Sequence, residues 1–161
     1  MTSKPDNIKN LSISEFMTRD VITITENESV GEACKLMYKE NIGSLIIIKK
    51  DIVIPVGIVT ERDITKMVGF SEKFLADTPV VAVMSQPLIT INPLTSVGDA
   101  VYLMEQKNIR RLPVINPEGL IVGIITAKDI FKPLMKIFKQ VAKEKDLVSD
   151  GFDLLGLIGM E

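Results

Sequence analysis

The 161-residue chain has no histidine and no tryptophan, and only one cysteine, Cys34. Without histidine there is no imidazole to activate a serine or cysteine nucleophile, and no His-ligated metal centre. A single cysteine cannot close a disulfide within the chain, which fits a reducing, cytoplasmic setting. Aromatic residues make up 5%, too few for the stacking platforms that hold single-stranded nucleic acid. Positive charge is not in surplus either. The 19 Lys and Arg stand against 21 Asp and Glu, a formal net charge of −2, so nucleic acid is not an expected partner. No stretch approaches the ~18 consecutive apolar residues of a membrane span, and the polar opening Met1–Asn10 lacks the apolar core of a signal peptide. The acidic residues near one another, Glu61 with Asp63 and Glu118 with Asp129, show no spacing that demands general acid–base work. These absences together argue against an enzyme.

What is present is 46% apolar residues, enough for a packed interior, and a duplication. Aligned without gaps from Met17 and from Met84, the two copies agree at 12 of the 26 positions from Met17 to Ile42. Ile22-Thr23-Ile24 matches Ile89-Thr90-Ile91, Ser29-Val30-Gly31 matches Ser96-Val97-Gly98, and Asn41-Ile42 matches Asn108-Ile109. After one extra residue in the first copy, Gly57-Ile58-Val59-Thr60-Glu61-Arg62-Asp63-Ile64 matches Gly123-Ile124-Ile125-Thr126-Ala127-Lys128-Asp129-Ile130. A repeat of this length implies two small units that share a core.

Each copy reads β-α-β-β-α. A short opening strand (Val21 to Thr25; Leu88 to Ile91) precedes a helix begun by Ser29-x-x-Glu32 or Ser96-x-x-Asp99, both capping-box patterns. The apolar stripe of that helix is Val30, Ala33, Cys34 and Met37 in one copy and Val97, Ala100, Val101 and Met104 in the other. Asn41 and Asn108 are expected stops. A strand, a turn and a return strand follow, and Pro55 marks an edge or bulge in the first return strand. There the β-branched run ends in Thr, with Asp three residues on at the head of an apolar-periodic segment. That is a strand feeding a helix, with Thr as N-cap and Asp in the first turn. Such a junction is expected to aim unpaired N–H groups and a positive dipole end at one spot, which suits an anion. Ile13 to Met17 and Val80 to Met84 form a lead-in before each copy. Pro133 is expected to open a further helix at its first position, striped by Leu134, Ile137, Phe138 and Val141. The organisation predicted is α+β: unit one over 13–70, unit two over 80–132, and a tail over 133–161 ending in the apolar stretch Leu154 to Met160.

The duplicated unit closing on Gly-h-h-Thr-x-x-Asp (h, apolar) resembles a pair of cystathionine β-synthase (CBS) domains, a Bateman module, over Ile13 to Phe131. The resemblance implies a pseudo-twofold disc with two clefts for an adenosyl ligand such as AMP, ADP, ATP or S-adenosylmethionine. The Asp would bind ribose hydroxyls, the Thr ribose or phosphate, and the basic residue before the Asp phosphate. One implied cleft sets Ile58, Thr60, Arg62 and Asp63 against Thr90, Ile91, Ile109, Arg110, Arg111 and Pro113. The other sets Ile124, Thr126, Lys128 and Asp129 against Thr23, Ile24, Ile42, Gly43 and Ser44. Arg110 and Arg111 would favour a polyphosphate in the Asp63 cleft, which makes Asp129 the weaker site. No catalytic residue and no metal are implied.

Several residues carry structural readings as well. Thr-x-x-Asp is itself a helix cap. Arg110 and Arg111 also read as solvated charge at a strand end, one toward a cleft and one toward an interface. Met37, Met67, Met84 and Met104 read as core, and Cys34 as a buried structural thiol. The expected protein is a regulatory module that forms a homodimer and signals to a protein partner not identifiable from the sequence, with the tail from Pro133 as the docking element. The alternative keeps the fold but leaves the clefts vestigial, for dimerisation or docking only.

Overall fold

The computed structural model describes residues 10–50, 52–70 and 76–144. The first repeat builds β1 (Thr23–Thr25), α1 (Val30–Glu40), β2 (Ser44–Lys49), β3 (Ile52–Thr60) and α2 (Glu61–Phe70). The second builds α3 (Val97–Lys107), β4 (Arg111–Ile115), β5 (Ile121–Thr126) and α4 (Ala127–Glu144). β2 is central in a three-stranded sheet, parallel to β1 and antiparallel to β3, while β4 and β5 form an antiparallel pair. The α+β architecture of two tandem units is as expected.

Local signals act where the sequence places them. Ser29 and Ser96 accept the amides of Glu32 and Asp99 at 3.1 and 3.0 Å. Asn41 and Asn108 end their helices in the left-handed region at φ 51, which Asn tolerates better than most residues. At Pro55 the β2–β3 register slips: Ile47 faces Gly57 but Ile48 faces Pro55, so Val56 is bulged out.

Three local expectations fail, each for a physical reason. The opening strand over Leu88 to Ile91 is reduced to one parallel bridge between Ile91 and Val114. Pro87 and Pro93 flank it, and neither has an N–H to extend a ladder. Cys34 and Val101 are exposed rather than on the buried stripe. The buried sets are Val30, Ala33, Met37 and Val97, Ala100, Met104; one residue past Ala33 or Ala100 the helix has turned by about 100°. Finally, α4 runs through Pro133 instead of starting there. The proline forfeits one bond, to the carbonyl of Asp129, but Ile130 and Met135 are both buried on either side of it. That burial keeps the helix in place.

The lead-ins are exchanged between the repeats. Ile13 and Met17 are buried in the second repeat's core with Ile91, Val97, Met104, Leu112 and Ile125. Val80 and Val83 are buried in the first repeat's core with Ile24, Val30, Met37, Leu45 and Val59. Backbone bridges tie Thr18 to Ile124 and Ser85 to Ile58, and β3 packs near β5. Each core is therefore completed by residues that precede the other repeat. Met37 and Met104 are core residues, and Met67 and Met84 pack half-buried against the first core. Among the described residues no helix is long and apolar enough to cross a membrane. The stretch Leu154 to Met160 and the side chains of Ile137, Phe138 and Val141 lie outside the described residues.

Candidate functional site

The two Thr-x-x-Asp stretches are reciprocal capping boxes. Asp63 Oδ2 accepts from the Thr60 amide at 2.9 Å and the Thr60 hydroxyl at 2.6 Å, while the Asp63 amide donates to Thr60 Oγ1 at 3.3 Å. Asp129 and Thr126 repeat this at 3.0, 2.6 and 3.2 Å. The next amides are taken too: Glu61 donates to the Gly43 carbonyl and Ala127 to the Arg110 carbonyl. The expected array of free N–H groups is thus absent from these helix starts. Of the first three amides of α4, only that of Lys128 has no partner among the described residues. What the box does is hold a carboxylate still, with Oδ2 used in the cap and Oδ1 left over. Ser85 Oγ donates to Asp63 Oδ1 at 3.1 Å. Asp129 Oδ1 accepts no hydrogen bond from the described residues.

A cavity of about 510 Å³ opens between the repeats beside Asp129. Ile124, Thr126, Lys128 and Asp129 form one wall, and Ile42, Gly43 and Ser44 another. Arg110 and Arg111, expected opposite Asp63, line this cavity instead. The register explains it: Arg111 pairs with Thr126 across β4–β5, which sets both arginines beside their own repeat's junction. Gly43 lies between charges, since a Cβ there would stand 2.8 Å from both Arg111 Nη2 and Glu61 Oε2. Three cations (Lys128, Arg110, Arg111) and three acids (Asp20, Glu61, Asp129) therefore share the walls. Among the described residues the ion pairs within 4 Å are Lys35–Glu32 and Lys39–Glu40. None of the cavity's six charged side chains forms an ion pair within 4 Å among the described residues.

Other expected members lie elsewhere. Ile24 is buried in the first repeat's core, and Thr23 lines a separate groove with Glu28 and Lys39. Pairing of β1 with β2 draws both into the sheet, and Val21 and Ile22, just before the strand, face the cavity in their place. Ile91 and Pro113 are buried within the second repeat, and Ile109 lines a groove between α3 and α4. Thr90 and Ile58 are half-buried, and Arg62 is exposed at the start of α2. Thr18, Asp20, Val21, Ile22, Asn41, Glu61 and Ala127 line the cavity without having been foreseen. The mirrored lead-ins were the one available sign of Thr18. Glu61 follows Thr60 directly, yet no periodicity ties it to Arg111.

Two tandem repeats, the first β-α-β-β-α and the second α-β-β-α, laced together by exchanged lead-ins around a cleft at a capped strand–helix junction, define a tandem-repeat α+β module. The CBS domain model matches residues 13–69 and 80–136. The chain belongs to the CBS-domain family. It is 38% identical over 126 residues to an uncharacterised protein of Methanopyrus kandleri, a match covering 78% of this chain and 63% of that protein's length. Among solved structures, the CBS domain pair of protein MJ0100, in complex with 5′-methylthioadenosine and S-adenosyl-L-methionine, superposes with a TM-score of 0.71 at 27% identity. That likeness covers 78% of this chain and 97% of the other. A CBS domain protein of Pyrobaculum aerophilum complexed with AMP gives a TM-score of 0.68 at 28% identity, over 74% of this chain and 89% of that one.

Proposed function

We propose that this chain is a regulatory module that binds an adenosyl ligand, of the AMP, ADP, ATP or S-adenosylmethionine class, and passes its occupancy to a partner. One observation carries the reading: Asp129 keeps a carboxylate oxygen with no hydrogen-bond partner among the described residues, in a cavity also lined by Arg110, Arg111 and Lys128. A carboxylate only accepts, and a ribose diol only needs acceptors for its two O–H groups. Guanidinium groups hold phosphate or carboxylate bidentately. Ile22, Ile42, Ile46 and Ile124 line the same cavity and offer apolar surface to a purine. The adenosyl ligands in the two similar structures support the same chemistry. Because the walls come from both repeats, a guest ties the repeats together and favours one arrangement of them. That is the differential affinity a ligand needs in order to shift a population. Exposed Cys34 has no disulfide partner in the sequence, consistent with a cytoplasmic setting.

The test is calorimetry backed by thermal shift, with AMP, ADP, ATP, S-adenosylmethionine and methylthioadenosine. At about 100 times Kd the ligand stabilises by roughly 2.7 kcal/mol, a visible rise in Tm. No heat and no shift with any of the five would leave the docking reading in its place.

A homodimer is supported separately. Val101, Met104, Ile109, Ile130, Phe131 and Leu134 line an apolar groove on the α3–α4 face, where Val101, Phe131 and Leu134 are 44%, 37% and 37% exposed. A second copy covering this face would remove that apolar surface from water. Phe131→Glu should then yield a monomer by sedimentation while leaving ligand affinity intact.

A further inference from the structure

We infer that Ser85 makes the two Thr-x-x-Asp junctions unequal: it occupies the carboxylate of Asp63, so a ribose-bearing ligand fills the Asp129 cavity first and reaches Asp63 only by displacing the serine. This rests on the reading of each Asp as a diol acceptor.

The two hydroxyl residues occupy equivalent places. In the repeat alignment Ser85 follows Met84 as Thr18 follows Met17. Thr18 exchanges two backbone hydrogen bonds with Ile124, both at 2.9 Å, and Ser85 exchanges two with Ile58, at 2.8 and 3.3 Å. Ile124 and Ile58 lie two residues before Thr126 and Thr60, so each hydroxyl residue sits beside a capping box. There the likeness stops. Ser85 Oγ donates to Asp63 Oδ1, so Asp63 accepts three hydrogen bonds and both its oxygens are engaged. Thr18 lines the cavity with Asp129, but among the described residues its hydroxyl makes no hydrogen bond to that carboxylate. A branched Cβ restricts χ1 in threonine and leaves serine freer to turn toward its neighbour. Serine stands beside the engaged carboxylate and threonine beside the open one.

Charge reinforces the inequality. Arg110 and Arg111 line the Asp129 cavity, while their counterparts in the first repeat are Gly43 and Ser44. A guest with both a diol and an anion finds an open carboxylate and guanidinium groups together at Asp129. Ser85 is on this account a specificity-determining residue that sets the order of filling.

Calorimetry on the full chain tests it, using AMP and, in parallel, S-adenosylmethionine. The wild type should show a tighter and a weaker site, with Asp129→Ala removing the tighter and Asp63→Ala the weaker. Ser85→Ala should leave the tighter Kd unchanged and strengthen the weaker site by roughly three- to tenfold, the worth of the released hydrogen bond. A melting curve like that of the wild type confirms that the variant folds. If Ser85→Ala leaves the weaker Kd where it was, or if Asp63→Ala removes the tighter site, the inference is wrong although the ligand reading stands. If neither compound binds wild type or variant, both fall together.

Discussion

The sulfur of Met17 lies 2.6 Å from where a Cβ would stand on Gly123, and the Thr18 carbonyl oxygen lies 3.1 Å from the same point. Met84 packs against Gly57 in the same relationship. Two glycines thus admit the lead-in that each repeat lends to the other. A methyl group at Gly123 meets backbone as well as a flexible thioether, so Gly123→Ala should destabilise by about 1–3 kcal/mol. The check is a lower urea midpoint at unchanged m-value; an unmoved midpoint would show that the lead-in shifts freely.

Ile13 is fully buried in the core of the second repeat, although it precedes the first. Ile13→Ala should cost about 2–5 kcal/mol. Hydrogen exchange should show protection lost in α3 and β4 before α1 and β2. Loss confined to the first repeat would contradict the exchange of lead-ins.

Asn108 holds a left-handed backbone at the end of α3. Alanine there should cost about 1 kcal/mol, because it keeps the Cβ that disfavours the left-handed region but loses the polar side chain that eases it, while glycine, with no Cβ, should be close to neutral. Equal losses in the two variants, measured by denaturant melts, would trace the effect to the Asn side chain instead.

Capping and ligand binding at Asp129 are separable. Asp129→Asn keeps an oxygen that can accept from Thr126 but gives up the charge, so stability should fall by about 1 kcal/mol or less. AMP affinity should fall at least about tenfold, as for a lost hydrogen bond to a charged group. A variant that binds AMP normally would remove the ribose role from Asp129.

Arg111 is expected to act on the anion alone. Arg111→Ala should weaken AMP by about tenfold or more and leave adenosine affinity unchanged, and the AMP affinity should lose part of its dependence on salt. Equal weakening of AMP and adenosine would place Arg111 in a structural role.

Most of the secondary structure was legible because its signals act over three or four residues. Ser29 and Ser96 cap their helices, Asn41 and Asn108 stop them, and Thr60 and Thr126 close boxes with Asp63 and Asp129. The failures came where a local rule met packing. Pro133 is carried inside α4 because Ile130 and Met135 are buried on either side of it, and Cys34 is turned out because Ala33 and Met37 already fill the face.

The residues alone established the duplication, the two capped junctions and the family they resemble, since each is written in spacing along the chain. Only the tertiary structure decided that Met17 completes the second core, that Arg111 stands beside Thr126, and that Ser85 donates to Asp63. Strand register and the exchange of lead-ins set those contacts. They join points far apart in the chain, where hydrophobic periodicity carries no record of who faces whom.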